Sequence, residues 1–146
     1  MSSAPGVLDE IRTRAAADSP LWAAALVDGD APPPAFAGRL PASHLLGVEM
    51  IREGYLMHHG QARLFSQDDP DLSLLTGDYL YAAGLVEICG TGDLAAVETL
   101  AELIAACSRA RGEGRPLTED EALWDAALTK LAGCRSRADA APVTLL

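Results

Sequence analysis

The stretch Leu72–Gly90, LSLLTGDYLYAAGLVEICG, constrains the fold more than any other part of the chain. As a helix, Leu72, Leu74, Leu75, Tyr79, Leu80, Tyr81, Leu85, Val86, Ile88 and Cys89 leave it almost no polar stripe. A helix that is apolar nearly all round normally lies inside a bundle, so this one is expected to be central and buried. With Asp78 and Glu87 inside its nineteen residues, it is too short and too charged for a comfortable membrane span. Its ends are well marked. Asp69 suits the N-cap, Pro70 the first helical position, and Asp71 adds negative charge where the helix dipole favours it. Gly90 suits the C′ position, and Thr91 or Asp93 can cap the next helix.

The flanking chain reads as more helix. Val7–Ala17 is a short helix, Asp18-Ser19-Pro20 breaks it, and Leu21–Val27 forms a second. The segment DGDAPPPAFAGRLPAS follows, where three prolines exclude helix and favour an extended connector or a surface arm. Pro41 opens a long helical pattern to about Phe65, in which Gly54 and Gly60 predict a kink or a close helix contact. Asp93–Arg109 is amphipathic, with Leu94, Val97, Leu100, Ile104 and Cys107 on one side. Leu117–Gly133 is the last helix, with a capping box formed by Thr118 and Glu121.

Residues 1–40 therefore carry short helices and a Pro-rich connector, 41–134 the helical core, and 135–146 a flexible tail. The expected fold is an all-α, single-domain helical bundle of 146 residues, alanine-rich with only two Phe and two Trp. A net charge of −10 argues against nucleic acid and against anionic membranes as partners. Cys89, Cys107 and Cys134 show no Cys-x-x-Cys spacing and read as reduced, mostly buried thiols. Met1–Ala17 has no apolar signal core, so a cytoplasmic location is expected.

Candidate chemistry is sparse. His58 and His59 are neighbours on a helix, point about 100° apart, and cannot converge on one metal. Glu49 and Glu53 share a face, but the Glu-x-x-His spacing of di-iron bundles is missing. Asp68, Asp69 and Asp71 are explained by a helix start. Asp78, on the apolar helix, needs a partner; Thr76 or a neighbouring helix can supply one, and Lys130 is the best charged candidate. There is no nucleophile elbow, no phosphate-binding glycine loop and no triad motif.

The stretch LLTGDYLYAAGLVEICGTGD resembles the Leu-x-Gly-Asp-Tyr-Leu helix of trans-isoprenyl diphosphate synthases. AELIAACSRARGEG and EALWDAALTKLAG resemble the helices that follow it, with Lys130 at the family's lysine, and GYLMHHGQAR lines up with its first aspartate-rich helix. His58 keeps the histidine that precedes that motif, but His59, Gly60 and Arg63 stand where aspartates would bind magnesium and the allylic diphosphate. Gly77 and Asp78 are retained, the paired arginines are missing, and the sequence stops before the second aspartate-rich motif. The resemblance, over roughly residues 41–131, implies a truncated isoprenoid-synthase-like bundle akin to the non-catalytic small subunits of heteromeric long-chain prenyl diphosphate synthases. It implies a catalytic synthase as partner, magnesium held by that partner and not by this chain, and a role in setting activity or product length. Leu56, Met57, Tyr79, Tyr81 and Leu85 are the candidates for the partner or tunnel face. Two alternatives stand beside it: a homo-oligomeric helical module (a homodimer in its simplest form), and a small enzyme using His58, His59 and Asp78.

Overall fold

The computed structural model describes residues 6–140, with side chains within 6–133. The elements run α1 (Val7–Asp18), α2 (Pro20–Ala25), α3 (Ala42–His59), α4 (Pro70–Cys89), α5 (Leu94–Gly112) and α6 (Thr118–Ala140). It is an all-α bundle. Among the described residues the only β pairing is an isolated antiparallel bridge between Leu26 and Phe65.

The local signals explain most boundaries. Ser19 caps α2, its hydroxyl accepting from Leu21 N–H at 3.1 Å. Asp69 caps α4 through Asp71 N–H (3.0 Å) and Leu72 N–H (3.2 Å). Asp93, not Thr91, caps α5, accepting from Ala96 N–H at 3.0 Å. α2 ends two residues earlier than expected, at Ala25, α5 ends three later, at Gly112, and three further boundaries differ. Thr118 is the first residue of α6 and not its cap. α6 also continues to Ala140, into the segment expected as tail, and 141–146 lie outside the described residues. Finally, α3 stops at His59 and does not reach Phe65. Gln67 folds back over that end and donates to the carbonyls of Leu56 (3.1 Å), Gly60 (3.2 Å) and Met57 (3.3 Å). Leu56 O also accepts from Gly60 N–H at 3.0 Å. The carbonyls at a helix C-terminus lack the partners a continued helix would give, so a side chain from the following loop replaces the next turn.

The central helix is α3, not α4. Eleven of its eighteen residues are buried, against six of twenty in α4. One apolar cluster lies on its α5–α6 side, built from Val48, Ile51, Tyr55, Leu100, Leu103 and Leu128 among others. A second lies on its α1–α2 side, with Leu8, Ile11, Met50, Leu64, Phe65 and Leu80. The Pro-rich connector is packed, not a loose arm: Phe36 and Leu40 are 7% and 8% exposed and belong to the first cluster.

α4 lies against α3 through glycines. Gly47 and Gly54 of α3 and Gly77 and Gly84 of α4 are each seven positions apart, so each pair falls on one helix face. A Cβ on Gly84 would stand 2.7 Å from the Gly47 carbonyl oxygen and 2.6 Å from Ile51 Cγ1. A Cβ on Gly54 would stand 2.9 Å from the Gly77 carbonyl oxygen. These are backbone-to-backbone contacts at two levels of an antiparallel pair. They fulfil the close approach that Gly54 predicts, whereas Gly60 serves as the α3 cap. The same tight seating gives α4 one covered face. Its other face has no described helix over it, and Leu74, Leu75 and Val86 are 56%, 55% and 71% exposed.

Candidate functional site

Three polar clusters bracket α3. The innermost joins Glu49 and Glu53, both fully buried, to Arg63 in the loop after the helix. Arg63 donates from Nη1 to Glu49 Oε1 at 2.7 Å and from Nε to Glu53 Oε1 at 2.9 Å. Glu53 Oε2 also accepts from the N–H groups of Arg63 (2.9 Å) and Leu64 (2.8 Å), while Glu49 Oε2 accepts from Phe36 N–H at 2.8 Å. Two carboxylates that the i,i+4 spacing places side by side thus pin the connector and the 61–69 loop to α3. Arg63, which the resemblance sets at an aspartate position, acts as their counter-ion. A buried carboxylate needs such partners to be tolerated at all.

The second cluster joins α3 to α5 and α6. Tyr55 Oη donates to buried Asp120 at 2.7 Å, and Arg111 donates to its other oxygen at 2.9 Å. Beside it the Arg52 guanidinium lies among aromatic rings, 4.9 Å from the Trp124 centroid, 5.1 Å from Tyr55 and 5.8 Å from Phe36. Burial pushes the nearby Cys107 thiol up to about 11, so it stays protonated and inert at neutral pH. Cys107 meets the expectation of a buried free thiol; Cys89 is exposed, because it faces the open side of α4. The Cys134 side chain lies outside those described.

His58 and His59 close the third cluster. His58 Nε2 meets Asp78 Oδ1 at 3.1 Å, and its ring stacks on Tyr81 at 5.1 Å. Gly77 makes room for it, since a Cβ there would stand 2.6 Å from His58 Nε2. Asp78 is not the buried carboxylate that an all-round apolar helix implies: its side chain is 67% exposed and its partner is His58, not Lys130. Thr76 turns inward and donates to Leu72 O at 2.7 Å. Lys130 is exposed and borders an open groove of about 530 Å³ between α5 and α6. Burial, then the neighbouring His58, lower the His59 pKa from its ordinary 6.5, which keeps that imidazole neutral at pH 7. Among the described residues no group of three or more His, Cys, Asp or Glu side chains is arranged to hold a metal ion.

A hydrogen-bonded chain that sequence spacing did not indicate links α3 to α5. His44 Nε2 meets Asp93 Oδ2 at 2.9 Å, and His44 Nδ1 meets Ser43 Oγ at 2.8 Å. An ionised Asp93 only accepts, so Nε2 donates to it, and Nδ1 is hydrogen-bonded to the serine hydroxyl. Asp93's other oxygen holds the α5 N-terminus, so the chain clamps two helix starts together. Burial raises the Asp93 pKa, but hydrogen bonds from His44 and Ala96 N–H outweigh it and leave the carboxyl below its ordinary 3.8.

The five residues proposed for a partner face do not share one surface. Leu56, Tyr81 and Leu85 pack against the α5–α6 cluster, whereas Met57 is buried in the α1–α2 cluster. Tyr79 stacks on Trp22 at 4.9 Å and donates to Asp18 at 2.6 Å. The exposed apolar side chains of α4 are instead Leu74, Leu75 and Val86, all within the segment singled out from sequence. Val86, Ala82 and Tyr79 also border a groove of about 350 Å³ toward α1. By length and composition α4 alone, among the described residues, meets the minimum for a membrane-crossing helix. No protein-family model, curated protein or solved structure matches the chain.

Proposed function

We propose that this chain is a non-catalytic accessory subunit, acting in the cytoplasm, that binds a larger catalytic protein through the outward face of α4. The observation that carries the reading is the exposure of Leu74, Leu75 and Val86 along a helix whose inner face is fully engaged with α3. Exposed apolar residues gathered on one element mark interaction surfaces. The class of partner rests on the Gly-Asp-Tyr-Leu resemblance, which lies on this same helix: a trans-prenyl diphosphate synthase whose activity or product length the subunit adjusts.

The polar clusters support a non-catalytic role. Arg63 is spent on Glu49 and Glu53, His58 on Asp78, and His44 on Asp93. Each holds two segments of the bundle together. A diphosphate leaving group needs metal or cationic stabilisation, which in this reading the partner supplies.

Co-purification from the source cell, followed by a prenyl-transfer assay with and without the chain, tests the proposal. Recovery of a synthase whose rate or product length changes is the expected result. If the chain recovers only itself and the assay is unmoved, the partner class is wrong and a homo-oligomeric module takes its place.

A further inference from the structure

We propose that the outward face of α4 receives a basic amphipathic helix: a partner segment with a Leu/Ala-type stripe bordered by Lys or Arg. This rests on the docking role of α4 and adds the chemistry of what docks there. Leu75, Ala82, Val86 and Cys89 lie seven, eleven and fourteen positions along from the first, so they line one narrow stripe. All are exposed. The small Ala82 at the middle of the stripe lets a second helix come close, and the groove toward α1 opens beside it. α4 is about 30 Å long at 1.5 Å per residue, room for a partner helix of similar length.

Charge selects the occupant. Every formally charged side chain on α4 is acidic: Asp71, Asp78 and Glu87. Asp71 and Asp78 lie along the apolar stripe and are exposed. The neighbouring face of α1 adds Glu10 and Asp18, and its Arg14 is held by Glu87 at 2.6 Å and Glu10 at 3.2 Å. A second copy fits this surface poorly. Antiparallel about Ala82, it sets Asp78, four positions before, against Val86, four positions after, and desolvates a carboxylate against valine. In parallel, it sets each aspartate beside its own copy. An anionic lipid surface meets the same repulsion. A helix edged with lysine or arginine gives Asp71 a partner and Asp78 a second one beside His58, while its apolar stripe covers Leu75 and Val86.

The test uses the full chain and two labelled synthetic helices of about twenty residues. They share one Leu/Ala stripe, bordered in one by lysine and in the other by glutamate. Fluorescence anisotropy is expected to show several-fold tighter binding of the lysine-bordered helix, weakening as salt rises from about 0.01 M to about 0.1 M. Asp71→Lys with Asp78→Lys inverts the preference, and Leu75→Asp with Val86→Asp abolishes binding of both. Leu75→Ser with Val86→Ser serves where the aspartates cost helicity by circular dichroism. Equal binding of the two helices, or binding that survives the changes at Leu75 and Val86, overturns the proposal. So does a homodimer by light scattering that dissociates on Leu75→Ser/Val86→Ser, or capture by phosphatidylglycerol vesicles lost in the same variant. The partner class fails separately. A chain that selects the lysine-bordered helix yet leaves every prenyl synthase unaffected keeps this surface and loses that partner. A synthase that binds the Leu75→Ser/Val86→Ser variant undiminished does the reverse.

Discussion

α3 and α4 are of similar length and lie face to face, yet their places in the bundle invert what their compositions suggest. α3 carries His44, Glu49, Arg52, Glu53, His58 and His59 and is the buried helix; α4 is the most apolar of the long helices and leaves one face open. The difference teaches that burial here follows partnership and not hydrophobicity alone. His59 apart, each of these groups on α3 meets an opposite charge, a backbone N–H or an aromatic face brought by another segment. α4 has one close neighbour, and its glycines spend the contact on backbone proximity, so the leucines on its far side have nothing described to cover them.

The comparison breaks most severely at Arg63. Replacing it with Ala leaves Glu49 and Glu53 buried without their counter-ion, and removing one member of a buried ionic group costs about 3–5 kcal/mol. Urea unfolding should show the loss as a fall in midpoint with little change in slope. Arg63→Lys recovers only part of it, because a single ammonium cannot reproduce the separate Nε and Nη1 contacts to two carboxylates.

Gly84→Ala attacks the seam between the two helices. Alanine gains roughly 1 kcal/mol in helix propensity, but its Cβ meets the Gly47 carbonyl oxygen at 2.7 Å and Ile51 Cγ1 at 2.6 Å. Overpacking against backbone costs typically about 1–3 kcal/mol, so the net effect is a loss. Gly90→Ala, where the nearest atom is 3.4 Å away, is its control. Equal melting temperatures for the two variants would refute the close backbone contact.

Much of this arrangement is legible in the sequence, and the failures share a cause. Caps at Ser19, Asp69 and Asp93, proline breaks and apolar spacing place the helices to within a few residues. Gly54 announces a close contact. The rank of α4 is misread because apolar content reports what a helix can bury, not how many neighbours it has. The polar clusters are misread for a related reason. Arg63 is fourteen residues from Glu49, Asp93 forty-nine from His44 and Asp120 sixty-five from Tyr55. No spacing rule joins residues across such loops. Asp78 was visible as a group needing a partner, and only the fold decides that the α3 terminus supplies it.

A gentler way to sharpen the contrast is pH. His59 has a folded-state pKa below its ordinary 6.5, chiefly through burial and next through His58. The unfolded chain therefore takes up the proton first. The stabilisation is present in full above pH 6.5 and drains away as pH falls from there through the folded-state value. His59→Gln should flatten the melting-temperature profile in that window. It should leave alone the lower limb, below about 3.8, where the Asp93 carboxylate takes up its proton and the stability from its lowered pKa is lost. A wild-type profile that His59→Gln does not alter would remove the half-buried neutral imidazole from the account.

The smallest effect on stability is expected where the largest effect on association lies. Val86 is 71% exposed and Leu75 55%, so neither adds much to the core. Surface substitutions away from special features usually stay within about 0.5 kcal/mol. Val86→Asp and Leu75→Asp should accordingly melt with the wild type while losing the partner. Ile88→Asp, fully buried four residues after Gly84 of the seam, should unfold the chain. A single helix would then show both behaviours two residues apart, on opposite faces. If Val86→Asp instead lowers the melting temperature by several degrees, the outer face of α4 is already covered in the isolated chain. That covering would be a second copy, and the melting temperature would climb with protein concentration.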